Sequence, residues 1–330
     1  MSIYFIQTYT CNPWQNLAVE KYLAEQIQKG DVMLYLWQND RTVVIGKNQN
    51  AIRECNVQLL EEEGGFLARR TTGGGAVYHD LGNLCFTFLA DPELYNLPKQ
   101  TEVIQLACQN FGIETSLSGR NDILTKEGFK FSGNAYSKTS TCNIQHGTLM
   151  VNVNKEHLSR YLTPSKDKLK SKGVRSVSSR VCNLKELNPD ITTDAMRQAL
   201  KESFEKKYGS FTELNPALLN NPEVKEIYSL YSSWDWRYGK SPSCETSFQK
   251  RFDWGEIQIH LKLNALHISE IHVFSDALDT ELPEIIERLL IGKCYDLKDV
   301  NPAAELGFLN DDQTDKIGQI MEWLTNCFHN

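Results

Sequence analysis

The sequence predicts an α+β fold, a mixed sheet flanked by helices, followed by a small α/β module at the C-terminal end. Three observations carry this: helical apolar stripes interspersed with paired apolar runs, a small polar break near residues 232–250, and a strictly alternating strand pattern after it. The 330 residues are 41% hydrophobic and 23% charged, which is enough apolar surface for a core and too much for a disordered chain. At ~150 residues per domain this length suggests two domains.

Taken in order, Asn12-Pro13 opens a helix in which Trp14, Leu17, Ala18 and Tyr22 share a face, ending near Gly30. The apolar runs at 34–37 and 42–45, split by the turn cluster Gln38-Asn39-Asp40, predict a hairpin. Residues 76–78 and 84–89, separated by 79–83, repeat that logic, so the sheet should be largely antiparallel. Val103, Ile104, Ala107, Cys108 and Phe111 mark another amphipathic helix, and Met196, Leu200 and Phe204 a third. After the break, Ile257, Ile259, Leu261 and Leu263 alternate with Gln258, His260 and Lys262, and residues 266–274 make a second strand. Two helical stripes follow, Leu282, Ile285, Ile286 and Leu289, then Ile317, Ile320, Met321 and Leu324. The expected division is a chemistry-bearing domain over 1–244 and an accessory β-β-α-α domain over 250–330.

The net charge of −7 argues against a nucleic-acid binder or an anionic-membrane binder. No apolar run approaches the ~20 residues that span a bilayer, and the start lacks a signal-peptide pattern, so a cytoplasmic protein is expected. The nine cysteines contain no CxxC pair, and their apolar settings suggest reduced thiols. Cys142, in a polar stretch four residues before His146, is the one candidate nucleophile. His260, His267 and His272 read as one polar hairpin face rather than a metal site.

The chemistry concentrates around Arg69-Arg70-Thr71-Thr72-Gly73-Gly74-Gly75-Ala76-Val77-Tyr78-His79-Asp80. Three successive glycines cost backbone entropy and belong where the main chain meets a ligand closely or takes positive φ; adjacent arginines make that ligand anionic. The run enters a strand instead of a helix, so it is neither a Walker loop nor a dinucleotide fingerprint. A flexible glycine hairpin with solvent-facing arginines is the plainer alternative. Asp122 could hold Mg²⁺ through oxygen. Lys130, between Phe129 and Phe131, is suited to neutralising a phosphate or carboxylate oxygen, or else is a snorkelling surface lysine. His146 and Thr148 are possible donors at the start of a strand. Residues 166–180 carry +5, leaving −12 for the rest of the chain, and read as a phosphate-closing lid or a solvated basic loop.

RRTTGGGAVYHDLGN, SGRNDI, KFSGNAY, QHGTLMVN and KGVRSVSSRVCNL, in that order and spacing, resemble lipoate-protein ligases over about residues 12–190. Residues 233–239 and the terminal module are similar to the accessory domain of the long bacterial type. The resemblance implies a core like those of biotin- and lipoate-protein ligases and class II aminoacyl-tRNA synthetases. It implies a two-step reaction, in which lipoate and ATP give lipoyl-AMP, and an acceptor lysine then takes the lipoyl group. Acceptors would be lipoyl domains of 2-oxoacid dehydrogenase complexes and the glycine-cleavage H protein. By the same resemblance Arg70, Gly75, Ala76, Val77, Tyr78 and Lys130 would bind ATP, and Gly74, Gly75, His79, Lys130 and His146 would bind lipoate. Lys130 would be catalytic, Asp122 would hold Mg²⁺, and Lys172, Gly173, Val174 and Arg175 would form the adenylate loop. Two other readings are an octanoyl or lipoyl transferase working through a Cys142 thioester, and a non-catalytic protein that binds an anion and a partner.

Overall fold

A computed structural model describes residues 1–119, 121–163, 180–238, 246–264, 267–294, 297, 300 and 309–328. The chain forms two compact units. Met1–Ile45, Ala51–Thr72 and Ala76–Arg237 make the first, and Gly46–Asn50, Gly73–Gly75 and Tyr238–Asn330 the second. The division is therefore not one cut in the sequence, because two short segments from the N-terminal third group with the C-terminal unit.

The first unit is built on strands β1 (Ser2–Gln7), β2 (Asp31–Trp37), β6 (Asn83–Ala90), β7 (Thr115–Ser118), β8 (Asp122–Thr125), β9 (Lys130–Lys138), β10 (Asn143–Met150) and β11 (Thr212–Glu213). They form one sheet in the order β11-β1-β2-β6-β10-β9-β8-β7. Only the β11-β1 and β1-β2 pairings are parallel, so the sheet is mixed and mainly antiparallel. Strands β2 and β6 are buried along their whole length and alternate between two helix layers. Leu34, Leu36, Phe86 and Phe88 face helices α2 (Leu97–Gln109) and α3 (Thr193–Tyr208). Met33, Tyr35, Trp37 and Cys85 face α1 (Pro13–Gln26) and α4 (Pro222–Ser232). Each helix starts on a side-chain cap: Asn12 accepts from Gln15 N at 3.0 Å, Asn96 from Lys99 N at 3.0 Å, Thr192 from Ala195 N at 3.0 Å and Asn221 from Val224 N at 2.9 Å. In α1, α2 and α4 a proline follows in the first turn, where its missing N–H costs nothing.

Neither expected hairpin forms. Strands β3 (Thr42–Ile45), β4 (Phe66–Arg69) and β5 (Val77–His79) make a separate sheet in the order β4-β3-β5, while β2 and β6 pair with each other. Between β2 and β3, Arg41 adopts φ +32°, and Asn16 on α1 donates to Gln38 O at 2.6 Å and Asn39 Oδ1 at 3.0 Å, which bends the chain out of the first sheet. Between β5 and β6 the turn is present, with Gly82 N donating to Asp80 Oδ1 at 2.8 Å, but its two flanks enter different sheets. A Cβ on Gly82 would lie 2.0 Å from Asn152 O, so glycine is required by that packing.

In the second unit β12 (Thr246–Phe252), β13 (Gly255–Asn264) and β14 (His267–Ser275) form an antiparallel meander. Ile257, Ile259 and Leu261 pack on α5 (Leu282–Leu290) and α6 (Asp311–Phe328). The module thus has one strand more than its sequence suggested, since the inward positions Phe248 and Phe252 of β12 are interrupted by Lys250. Gly73–Gly75 lie against the 277–278 segment. Gly74 N donates to Ala277 O at 3.1 Å, and a Cβ on Gly73 would stand 2.3 Å from the same oxygen. Gly74 itself has φ +89°. Part of the glycine requirement is therefore backbone packing within this unit. Among the described residues no helix is long and apolar enough to cross a membrane.

Candidate active site

The face of the first sheet that meets α1 carries two transverse rows. Tyr35, Thr87, His146 and Ala135 are successive register partners across β2, β6, β10 and β9. In the next row Trp37 pairs with Cys85 and Cys85 with Thr148, whose hydroxyl accepts from Gly133 N at 3.2 Å; Gly133 pairs with Asp122. Small residues at Ala135, Thr148 and Gly133 leave this part of the face low and half-open.

Lys130 reaches the same face because of a β-bulge. Register shifts between Ile123 and Leu124, so that Ile123 opposes Ser132 and Leu124 opposes Lys130. The extra residue, Phe131, is fully buried in the opposite core, and Lys130 turns to the side of Asp122 and Gly133. A Cβ on Gly133 would be 2.8 Å from Lys130 Nζ, so this glycine keeps the space that the ammonium occupies. Nζ lies 2.8 Å from Asp122 Oδ1, and Arg180 pairs with Oδ2 of the same carboxylate. The main chain of Lys130 is held as well, since its carbonyl accepts from Cys182 N at 2.9 Å. Burial alone would raise the Asp122 pKa, but Lys130 and Arg180 outweigh it and hold the carboxyl below its ordinary range.

A second carboxylate, Glu20 on α1, is buried under the first row. Its Oε1 accepts from His146 Nδ1 at 2.8 Å and from Thr87 Oγ1 at 2.6 Å. His146 Nε2 lies 2.8 Å from Thr72 Oγ1, which accepts from Arg70 Nε at 3.0 Å. Because an ionised carboxylate only accepts, the proton between His146 and Glu20 sits on Nδ1, and the bonds link Arg70 through Thr72 and His146 to Glu20. Burial would raise Glu20, yet His146, Thr87 and Arg70 bring it below the usual value. Burial also pulls the Arg70 guanidinium down to about 10, which leaves it charged at neutral pH.

The remaining expected site residues divide between the units. Arg69 differs from its neighbour in donating to the carbonyls of Trp236 and Arg237, a structural anchor. His79 is buried at the end of β5, with Nδ1 3.1 Å from Asn39 Nδ2; burial, then Arg70 and His146, push its pKa down to about 3. Tyr78 packs its ring against Tyr161, with its hydroxyl 3.3 Å from His157 Nδ1. Ala76 and Val77 belong to the first unit, whereas Gly74 and Gly75 belong to the second. Lys172, Gly173, Val174 and Arg175 lie outside the described residues. Cys142 is buried, and burial lifts its thiol to about 11, so it is not the exposed nucleophile that its polar neighbours suggested. Among the described residues no three His, Cys, Asp or Glu side chains gather as a metal group, and both oxygens of Asp122 face cations. Glu20 and Thr87 carry no mark in the sequence reading, Thr72 stands there only as part of the glycine run, and Arg180 only as the end of the basic 166–180 segment. Glu20 had a signal, a carboxylate at the apolar phase of a helix between Leu17 and Leu23.

Residues 12–205 match the family described as lipoyl protein ligase A/B catalytic domain, and residues 241–324 that described as bacterial lipoate protein ligase C-terminus. Lipoate-protein ligase A of Psychrobacter cryohalolentis is 38% identical, the alignment covering 98% of each chain. Among solved structures, P. falciparum LipL1 in complex with lipoate has a TM-score of 0.84 at 32% identity, covering 98% of this chain and 100% of that one. A bi-partite lipoate protein ligase with its E2 lipoyl domain from Thermoplasma acidophilum has a TM-score of 0.64 at 25% identity, covering 74% and 98%.

Proposed function

The chain belongs to the lipoate-protein ligase family, and from that premise we propose which residues carry out the ligation. The enzyme joins free lipoate to a protein lysine at the expense of ATP. Activation is needed because a carboxylate carries no leaving group that an amine can displace. The lipoate carboxylate attacks the α-phosphorus of ATP, forming lipoyl-AMP and releasing diphosphate. The acceptor's lysine amine then attacks the lipoyl carbonyl, the amide forms and AMP leaves.

The first step brings two anions together, and the second builds negative charge on the carbonyl oxygen and the departing phosphate, so both need fixed cations at the reacting centre. Lys130 is the catalytic cation. It neutralises charge on the carboxylate and α-phosphate and then polarises the carbonyl of the mixed anhydride. The low strip of Gly133, Ala135 and Thr148 beside it would admit a slender acyl chain, with His146 and His79 along its path. Arg70 and the backbone of Gly75, Ala76, Val77 and Tyr78 would hold the nucleotide. Lys172, Gly173, Val174 and Arg175 would cover the adenylate and keep water from hydrolysing it. Asp122, with Lys130 on one oxygen and Arg180 on the other, does not fit a magnesium ligand; Mg²⁺ would reach the enzyme on the triphosphate, as is usual for nucleotide substrates. Acceptors would be lipoyl domains of 2-oxoacid dehydrogenase complexes and the glycine-cleavage H protein. The eight described cysteines, all unpaired, suit a reducing cytoplasm.

The observation that carries this reading is the Lys130 ammonium turned by a bulge onto the face that also bears His146. The test is mass spectrometry of a purified lipoyl domain incubated with the protein, lipoate and MgATP. Addition of one lipoyl mass to the domain supports it, and an unmodified domain overturns it.

A further inference from the structure

Asp122 does something other than the metal binding its sequence context suggested. It is 4% exposed at the start of β8, and each of its two oxygens already faces one cation, Lys130 Nζ at 2.8 Å on Oδ1 and Arg180 on Oδ2. Two positive side chains this close would repel each other without it. A buried carboxylate between them holds both in place. The surrounding backbone serves the same arrangement. The bulge at Phe131 brings Lys130 to the Asp122 side, Asp122 is the register partner of Gly133, and Gly133 leaves room for the ammonium. The segment that carries Arg180 also bonds the Lys130 main chain, through Cys182 N and the Val181 bridge.

We infer that Asp122, with Arg180 as its second cation, is the positioning residue that aims Lys130 at the reacting oxygens, and that it is not a magnesium ligand. The inference rests on the ligase reading above and deepens it. Lys130 keeps 21% side-chain exposure, so its ammonium can share its charge with substrate while the 5% exposed carboxylate stays behind it. A cation aimed by a fixed partner acts mainly on the rate of the chemical step, because misplacement by about 1 Å costs on the order of 10²-fold.

The experiment measures lipoate-dependent exchange of labelled diphosphate into ATP by the full-length enzyme, for wild type, Asp122→Asn, Asp122→Glu and Arg180→Lys, across a magnesium titration. Asp122→Asn is expected to lower kcat about 100-fold while KM for ATP stays within about threefold, with the magnesium half-point unchanged. Asp122→Glu, which keeps the charge, should recover about tenfold of that loss, and Arg180→Lys should stay within about tenfold of wild type. Recovery of Asp122→Asn by excess magnesium would show that Asp122 is a metal ligand and overturn the inference. So would a kcat for Asp122→Asn within about twofold of wild type, or an equal loss in Asp122→Glu and Asp122→Asn. If wild type itself shows no lipoate-dependent exchange, the ligase reading has failed instead.

Discussion

Two buried carboxylates, Glu20 and Asp122, organise the same sheet face in opposite ways. Glu20 collects neutral and charged donors through Thr87 and through His146, Thr72 and Arg70, and that cluster is largely buried. His146 and Glu20 have side-chain exposures of only 8% and 4%. Asp122 is equally buried, but its cations Lys130 and Arg180 stand at 21% and 26%. The same chemical group therefore makes an internal brace in one place and a cocked cation in the other. What differs is how far the positive partner's side chain is exposed.

The largest effect expected from this contrast is at the exposed cation. Lys130→Ala should slow lipoyl-AMP formation by about 10³-fold, the usual cost of removing one electrostatic donor at a reacting centre, while chemical denaturation moves little. A mutant that forms the adenylate at the wild-type rate would remove Lys130 from the mechanism. The Glu20 carboxylate, buried behind that cluster, should show first in stability. Glu20→Ala leaves His146 and Arg70 without their carboxylate and should cost about 3 kcal/mol in urea unfolding, because one partner of a buried pair is lost. A loss below about 1 kcal/mol would mean that the cluster is not the brace described here.

Acid should act first through His79. The unfolded chain takes up a proton at His79 near pH 6.5, whereas the folded protein resists until about 3, so the unfolded state holds the extra proton between these values. Stability is thus complete above pH 6.5 and falls as pH drops, by at most about 1.4 kcal/mol per unit from this residue. Glu20, whose folded pKa is depressed, adds a loss in the same direction once pH falls below the ordinary carboxylate range. Urea midpoints measured from pH 7 to pH 4 should decline less steeply in His79→Gln than in wild type, and parallel curves would contradict the assignment. The smallest effect is at Gly133. An alanine methyl there would meet the flexible end of Lys130, at 2.8 Å from Nζ, so Gly133→Ala should reduce adenylation about tenfold and shift stability by no more than about 0.5 kcal/mol. An unchanged rate would show that the ammonium does not need that space.

Much of this arrangement was legible in the chain. Asn12-Pro13 and the apolar stripe after it gave the start and face of α1, and the alternation at 257–263 gave β13. Lys130 between two phenylalanines did mark an unusual lysine. Strand pairing was harder to read: the runs at 34–37 and 42–45 have hairpin spacing, yet Arg41 and the Asn16 bonds send them into different sheets. The glycine run was read as a ligand loop, but Gly73 also has to be small to clear Ala277, some 200 residues away.

By itself the sequence determined five of the six helices α1 to α6, the Asn12 cap, the α+β class and the set of polar residues from which a site could be made, because each depends on neighbours within a turn or two. Which of those residues meet was decided only in the tertiary structure. His146 and Glu20 are 126 positions apart, and Arg180 and Asp122 are 58. The bulge that turns Lys130 toward Asp122 exists only relative to the register of β8. A one-residue change in register exchanges the two faces of a strand, so the aim of a side chain on a sheet is a property of the pairing and cannot be read from its own segment.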